Sequence, residues 1–218
     1  MKKITKDISP AWFENWKDNF RTTNGREPHY KADFATSDNR RRRLREALIK
    51  EQGGICCYCM KRIDVNSSHI EHFFPKEQFL DIDLLYDNLL ASCNGEGTTN
   101  EYEEYCGHKK DNWWREDMIS PTDIEVESVF KYFSNGKIST ANGRTTSNIA
   151  QEMINNLGLD SYHLERNRRE AIEVSEVFDE EEYSDDQIRD FIDYYSNKNN
   201  GIYVPYCKAI IDCLKKLL

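Results

Sequence analysis

Between positions 56 and 112 the chain gathers two kinds of metal-binding side chain. Cys56 and Cys59 form a C-x2-C knuckle, and Cys93 and Cys106 supply a second pair downstream. Two thiolates at knuckle spacing can bind one tetrahedral Zn²⁺ from a tight turn. Four would close the site and leave no position for water, which makes it structural. Cys57, inside the knuckle, is expected to point away from the ion. Between the pairs lies Ser68-His69-Ile70-Glu71-His72-Phe73-Phe74-Pro75-Lys76, followed by Asn88, and after Cys106 comes Gly107-His108-Lys109-Lys110-Asp111-Asn112. Glu71 is a hard oxygen donor suited to Mg²⁺ or Mn²⁺. His72, with an ordinary pKa near ~6.5, suits removal of a proton from water. Adjacent residues on a strand face opposite ways, so the two can divide the work. His69 shares the Glu71 face. It reads as a structural hydrogen-bonding histidine, with an extra ligand or a phosphate contact as the alternative.

A strand carrying a carboxylate and a histidine, a turn carrying an asparagine, and a helix returning a second ligand is the order a ββα-metal nuclease needs. From Cys56 to about Asn112, CCYC, HIEHFFPK, YDNLLASCNG and CGHKKDN resemble an HNH endonuclease of the subtype with a cysteine tetrad. More narrowly, they look like the nuclease subunit of Septu-type and retron-associated anti-phage systems. The stretch from Leu157 to Arg166 resembles the helical C-terminal region of that family. The resemblance implies one-metal phosphodiester hydrolysis, with His72 as general base, Glu71 as ligand of the catalytic divalent ion and Asn88 orienting the base. In the usual pattern the last ligand follows the final cysteine immediately, and here that position is Gly107. His108 is the first substitute and Asn112 the second. They sit four apart, on one face of an expected helix. Lys76, Lys109 and Lys110 could contact phosphate oxygens. Zinc would staple a ββα unit of roughly 55 residues that is too small to hold itself together. The implied cofactors are structural Zn²⁺ and catalytic Mg²⁺ or Mn²⁺. The implied partners are nucleic acid, an ABC-type ATPase subunit and, in a retron setting, a reverse transcriptase–msDNA complex. DNA is the favoured substrate. The alternatives are a toxin-like effector cleaving tRNA or other RNA, and a catalytically inactive zinc-stabilised nucleic-acid-binding adaptor.

The elements that must position these residues read as α+β and mostly helical, with the ββα unit embedded in a helical body. We expect an N-terminal helical arm over 1–53, the nuclease unit over 54–118 and a helical C-terminal lobe with a small β-hairpin over 119–218. Ser9-Pro10 starts a helix with aromatics at positions 12, 13, 16 and 20. Ser37 or Asp38 caps an arginine-rich helix that Gly53-Gly54 ends. Val126–Phe133 and Lys137–Thr140 flank Ser134-Asn135-Gly136, an Asn-Gly hairpin signal. Helices follow at about 145–157, 161–180, 184–196 and 204–218. Cys207 and Cys213 fall on the last of these, as small buried hydrophobes.

The net charge of −9 argues at first against a nucleic-acid enzyme. It is unevenly spread. Residues 1–118 hold 19 basic and 21 acidic residues, and residues 119–218 hold 11 and 18, including Asp179-Glu180-Glu181-Glu182. The part with the candidate site is therefore close to neutral, and its basic charge is gathered in Arg40–Arg43 with Arg45. That run reads either as a solvated helix face or as a phosphate-contacting arm. Seven cysteines and no export signal point to a reducing compartment, the bacterial cytoplasm. No apolar run approaches the ~18–20 residues of a membrane span.

Overall fold

Pro10 sets the backbone for the first helix, α1 (Ala11–Asn24), and Gly25 ends it in the left-handed conformation. The computed structural model describes residues 1–95, 104–141, 147–175 and 183–218. The aromatics of α1 dock onto a short π-helical turn, Tyr30–Phe34. Phe13 and Trp16 both meet Phe34 edge-on, with ring centroids 5.2 and 5.1 Å apart. The turn delivers Tyr30 toward the centre of the molecule. Helix α2 (Asp38–Glu51) follows, with the Ser37 side chain accepting from the Arg40 amide. Gly53 and Gly54, both at positive φ, then reverse the chain into the cysteine knuckle.

Strand β1 (Ser68–His72) pairs antiparallel with β2 (Leu89–Cys93), placing Glu71 opposite Leu90 and His72 opposite Leu89. All five residues of β2 are buried. Among the described residues, no third strand covers the far edge of β2. The buried Gln52 side chain does so instead. Its amide nitrogen donates to the carbonyls of Ile55 and Ala91, at 2.9 and 2.8 Å, and its oxygen accepts from the Ala91 amide at 2.6 Å. The side-chain amide thus pairs with the strand as a backbone peptide would. After Cys106 comes a single helical turn, α3 (Gly107–Lys110), which Asp111 breaks with a φ of 45°.

The C-terminal part begins with a second helical turn, α4 (Val126–Val129), and a hairpin of β3 (Phe130–Tyr132) and β4 (Ile138–Thr140). The hairpin lies where the Asn-Gly signal put it. Val126–Val129 is helical, however, which corrects the strand expected there. β-branched residues favour strands only where a partner is available, and β4 is too short to pair with them. Helices α5 (Ser147–Asn156), α6 (Tyr162–Glu173), α7 (Asp185–Ser196) and α8 (Cys207–Leu214) complete the element order. Helix α6 is shorter than the expected 161–180. The acidic run Asp179–Glu182 lies outside the described residues, as does most of the loop between Cys93 and Cys106. Cys207 and Cys213 are buried.

This mixed α/β architecture packs around one apolar cluster, to which residues from Met1 to Leu214 contribute. The C-terminal part grips the knuckle directly. Tyr206 donates to the Met60 carbonyl at 3.1 Å, Tyr203 to the Gly53 carbonyl at 2.9 Å, and Cys106 to the Leu157 carbonyl at 2.7 Å. No described helix is long and apolar enough to cross a membrane. The role of Gln52 is open to test. Gln52→Leu strands the buried Ala91 amide and should lower stability by about 2–4 kcal/mol in urea titrations. Stability within 0.5 kcal/mol of wild type, about the spread of a neutral surface change, would show that the amide pairing contributes nothing.

Candidate active site and metal centre

The four cysteines come from three separate pieces of chain: the knuckle, the end of β2 and the entrance to α3. Their sulfurs all lie within 4.8 Å of one another, in a buried cluster. Cys59 Sγ and Cys93 Sγ are 3.7 Å apart. A tetrahedron with Zn–S bonds of about 2.3 Å has edges of roughly 3.8 Å, so the spacing fits that ion. Backbone amides point at the sulfurs, as expected around thiolates. Cys93 N–H donates to Cys56 Sγ at 3.3 Å and Lys61 N–H to Cys59 Sγ at 3.5 Å. Burial, reinforced by the neighbouring sulfurs, pushes the Cys106 thiol well above its ordinary value. A bound cation would relieve that cost. Cys57 is buried outside the cluster, with its amide bonded to the Ala91 carbonyl.

Beside this cluster, β1 and α3 form a cavity of about 220 Å³ whose walls include His69, Glu71, His72, Lys76, His108 and Asn112. Glu71 is only 6% exposed. Its Oε1 is fully engaged, accepting from the Tyr58 hydroxyl at 3.1 Å and pairing with Lys110 Nζ at 3.0 Å. Its Oε2 faces His69 Nε2 at 3.4 Å. Burial alone would raise the Glu71 pKa, but Lys110 and His69 outweigh it and bring it down to about 2. The carboxylate is therefore charged at neutral pH.

His72 is held differently. Its Nε2 lies 3.0 Å from the Asp83 carbonyl, and its ring meets Tyr30 edge-on at 4.4 Å. A carbonyl only accepts, so Nε2 carries the proton and Nδ1 is the free base. Burial, helped by the Lys76 charge, lowers the His72 pKa to about 4, so the ring is neutral at pH 7. The Asp83 carboxylate in turn accepts from the Tyr30 amide at 2.9 Å. Asp83 therefore fixes both the tautomer of His72 and the ring packed against it.

Several expected residues do something other than what their spacing implied. Asn88 does not reach the imidazole. Its amide oxygen accepts from the Phe74 amide at 2.7 Å, and its nitrogen donates to the Phe74 and Ile82 carbonyls at 3.1 Å. It clamps the loop that leads from His72 to β2. Lys110 is no surface phosphate contact. It is 1% exposed, and besides Glu71 it donates to the His72 carbonyl at 2.9 Å. Its buried ammonium locks the two candidate catalytic residues together. Lys76 does line the cavity, while Lys109 lies against Gly158. His108 and Asn112 both reach the cavity wall, but α3 ends before Asn112, so no helix face relates them. His69 faces Glu71 Oε2, and the His108 ring meets the His69 ring edge-on at 4.6 Å.

Gly107 now has a reason. A Cβ there would lie 2.5 Å from both Glu71 Oε2 and His69 Nε2. The side chain usual at this position has no room, because His69 and Glu71 already occupy its place. Asp83, Tyr30, Tyr58 and Gln52 were missed from sequence. Each acts through a long-range contact, and only the aromatic residues beside the motifs gave any signal. Gly107→Ala tests this packing. It should leave zinc in place and melting within a few degrees, while Mn²⁺ affinity measured by electron paramagnetic resonance falls about tenfold or more. Wild-type Mn²⁺ affinity would show that the Glu71–His69 pair is not where the divalent ion sits.

No protein-family model matches the chain. Among curated proteins, it is 31% identical over 149 residues to a protein of Vibrio cholerae serotype O1 biovar El Tor described as "Retron Vc95 putative HNH endonuclease", covering 65% of this chain and 70% of that one. It is 29% identical over 115 residues to "Septu protein PtuB" of Bacillus thuringiensis, covering 49% of this chain and 39% of that one. The CCYC, HIEHFFPK and CGHKKDN motifs and these two relatives agree. The chain belongs to the HNH endonuclease family of retron and Septu defence systems.

Proposed function

We propose that the protein is a metal-dependent HNH endonuclease that hydrolyses nucleic-acid phosphodiester bonds, with DNA as substrate, and serves as the effector of an anti-phage system alongside an ABC-type ATPase. The observation that carries the reading is one cavity lined by a charged carboxylate and a neutral histidine of fixed tautomer. Glu71 Oε2 and His69 Nε2 are the donors offered to a divalent ion, with His108 and Asn112 on the wall beside them. Two protein donors suit Mg²⁺ or Mn²⁺, which keeps several waters and takes substrate phosphate as a further ligand. When bound, such an ion supplies charge stabilisation at the scissile phosphate and the leaving oxygen. His72 Nδ1 then accepts the proton of the attacking water, while the Asp83 carbonyl holds Nε2–H and supports the developing imidazolium. Lys110 keeps Glu71 ionised and ties it to the His72 backbone, so the ligand and the base keep a fixed spacing. Lys76 stands where a phosphate oxygen would enter.

Homology to retron and Septu proteins supports the defence setting, and the resemblance in motif pattern supports the ATPase partner. The test is cleavage of plasmid DNA and of total tRNA with Mg²⁺ or Mn²⁺, with and without the co-encoded ATPase. Wild type should cut plasmid, and His72→Ala should lose at least about 10²-fold in rate while remaining folded. Equal rates for the two would refute the base assignment. Cleavage of tRNA with intact plasmid would replace the DNA reading with the RNA one.

A further inference from the structure

The five arginines of the α2 run divide into two groups. Arg40 is structural. It lies over the Trp16 ring at 5.0 Å and donates to the Asp33 and Phe34 carbonyls at 2.7 and 3.2 Å. Arg43 lies over Trp12 at 4.3 Å. The other three, Arg41, Arg42 and Arg45, share a separate groove of about 560 Å³ with Asn39 and Asn66. Arg41 pairs with Asp38, and Arg42 with Glu46 at 3.0 Å. Both pairs are solvent-exposed, and such pairs contribute little, so a phosphate can displace the carboxylates. Among the described residues, Arg45 has no carboxylate partner. It donates to the Ser68 carbonyl at 2.7 Å, and its buried Nε has no partner among those residues. A buried N–H left without an acceptor is costly unless something supplies one.

The groove adjoins the candidate active site. Ser68 begins β1, the strand that carries His69, Glu71 and His72. Burial pushes the Tyr30 phenol up to about 12 against the pull of Arg41 and Arg45, and the same ring packs on His72. We infer that the Arg41–Arg42–Arg45 groove is a second nucleic-acid subsite, which binds backbone phosphates of the strand flanking the scissile bond. This rests on the nuclease reading for its register, not for the binding itself. Four residue steps of β1, at ~3.3 Å each, put Ser68 about 13 Å from His72. The bound phosphates therefore lie a few nucleotides from the cut. Asn39 and Asn66 add neutral donors, so the subsite grips phosphates without reading bases.

The test is fluorescence anisotropy of the full chain with a labelled 20-nucleotide DNA and the matching RNA, over a KCl series without added divalent ions. The variants are Arg41→Gln/Arg42→Gln, Arg45→Gln, and Arg115→Gln/Arg166→Gln as a charge-matched control on the C-terminal part. We expect the groove double variant to weaken binding about tenfold or more. The slope of log K against log[KCl] should flatten by about 1.4, at ~0.7 per lost phosphate contact. Arg45→Gln should fall in the same direction with unchanged circular dichroism, and the control should bind as wild type. Wild type that binds neither strand, or a control that falls as far as the groove variant, would overturn the subsite. Binding that follows the expected pattern while no substrate is ever cut would sink the hydrolytic reading and leave the groove standing.

Discussion

Four buried thiols crowded within 4.8 Å are the constraint on which the site depends. Without an ion, burial and the neighbouring sulfurs oppose deprotonation of Cys106. With one the four sulfurs become a junction of three chain segments. The Cys57 amide bonded to the Ala91 carbonyl and the Gly107 amide bonded to the Ser92 hydroxyl support the same junction, and α3 is a single turn too short to be stable alone. Because Cys106 enters the cluster, Gly107 is carried beneath Glu71 and His69, and Lys110 is carried into the space between Glu71 and the His72 carbonyl. The cysteine cluster and the candidate catalytic cavity are therefore one construction.

Within the cavity the electrostatics follow from burial. A carboxylate and a histidine next to each other on one strand would be poorly matched in water. Here Lys110 and His69 keep Glu71 charged, while desolvation keeps His72 neutral. The two groups are thereby held in opposite charge states by their surroundings, as the proposed ligand and base would require. Asn88 and Asp83 secure the geometry from outside the cavity, one holding the loop and the other holding the imidazole.

The cysteine set and the HIEH segment were legible because their chemistry is written in short spacings. So were the strand carrying Glu71 and His72, the Asn-Gly hairpin and the approximate helices, which depend on local pattern. What escaped depends on contacts between distant residues. Lys110 looked like a solvent-facing cation because lysine is rarely buried. Its burial makes sense only once Glu71 and the His72 carbonyl are seen around it. Gly107 looked like a missing ligand until His69 was found filling its place. The arginine run was ambiguous for the same reason. Aromatic contacts from α1 claim two of its members and leave three facing one groove.

X-ray absorption at the zinc edge on the purified full chain tests the central claim most directly. One zinc per chain with four sulfur neighbours at about 2.3 Å is the predicted result. A chain without zinc, or one whose zinc carries nitrogen or oxygen neighbours in place of any of the four sulfurs, would contradict the claim that the cysteine tetrad organises the site.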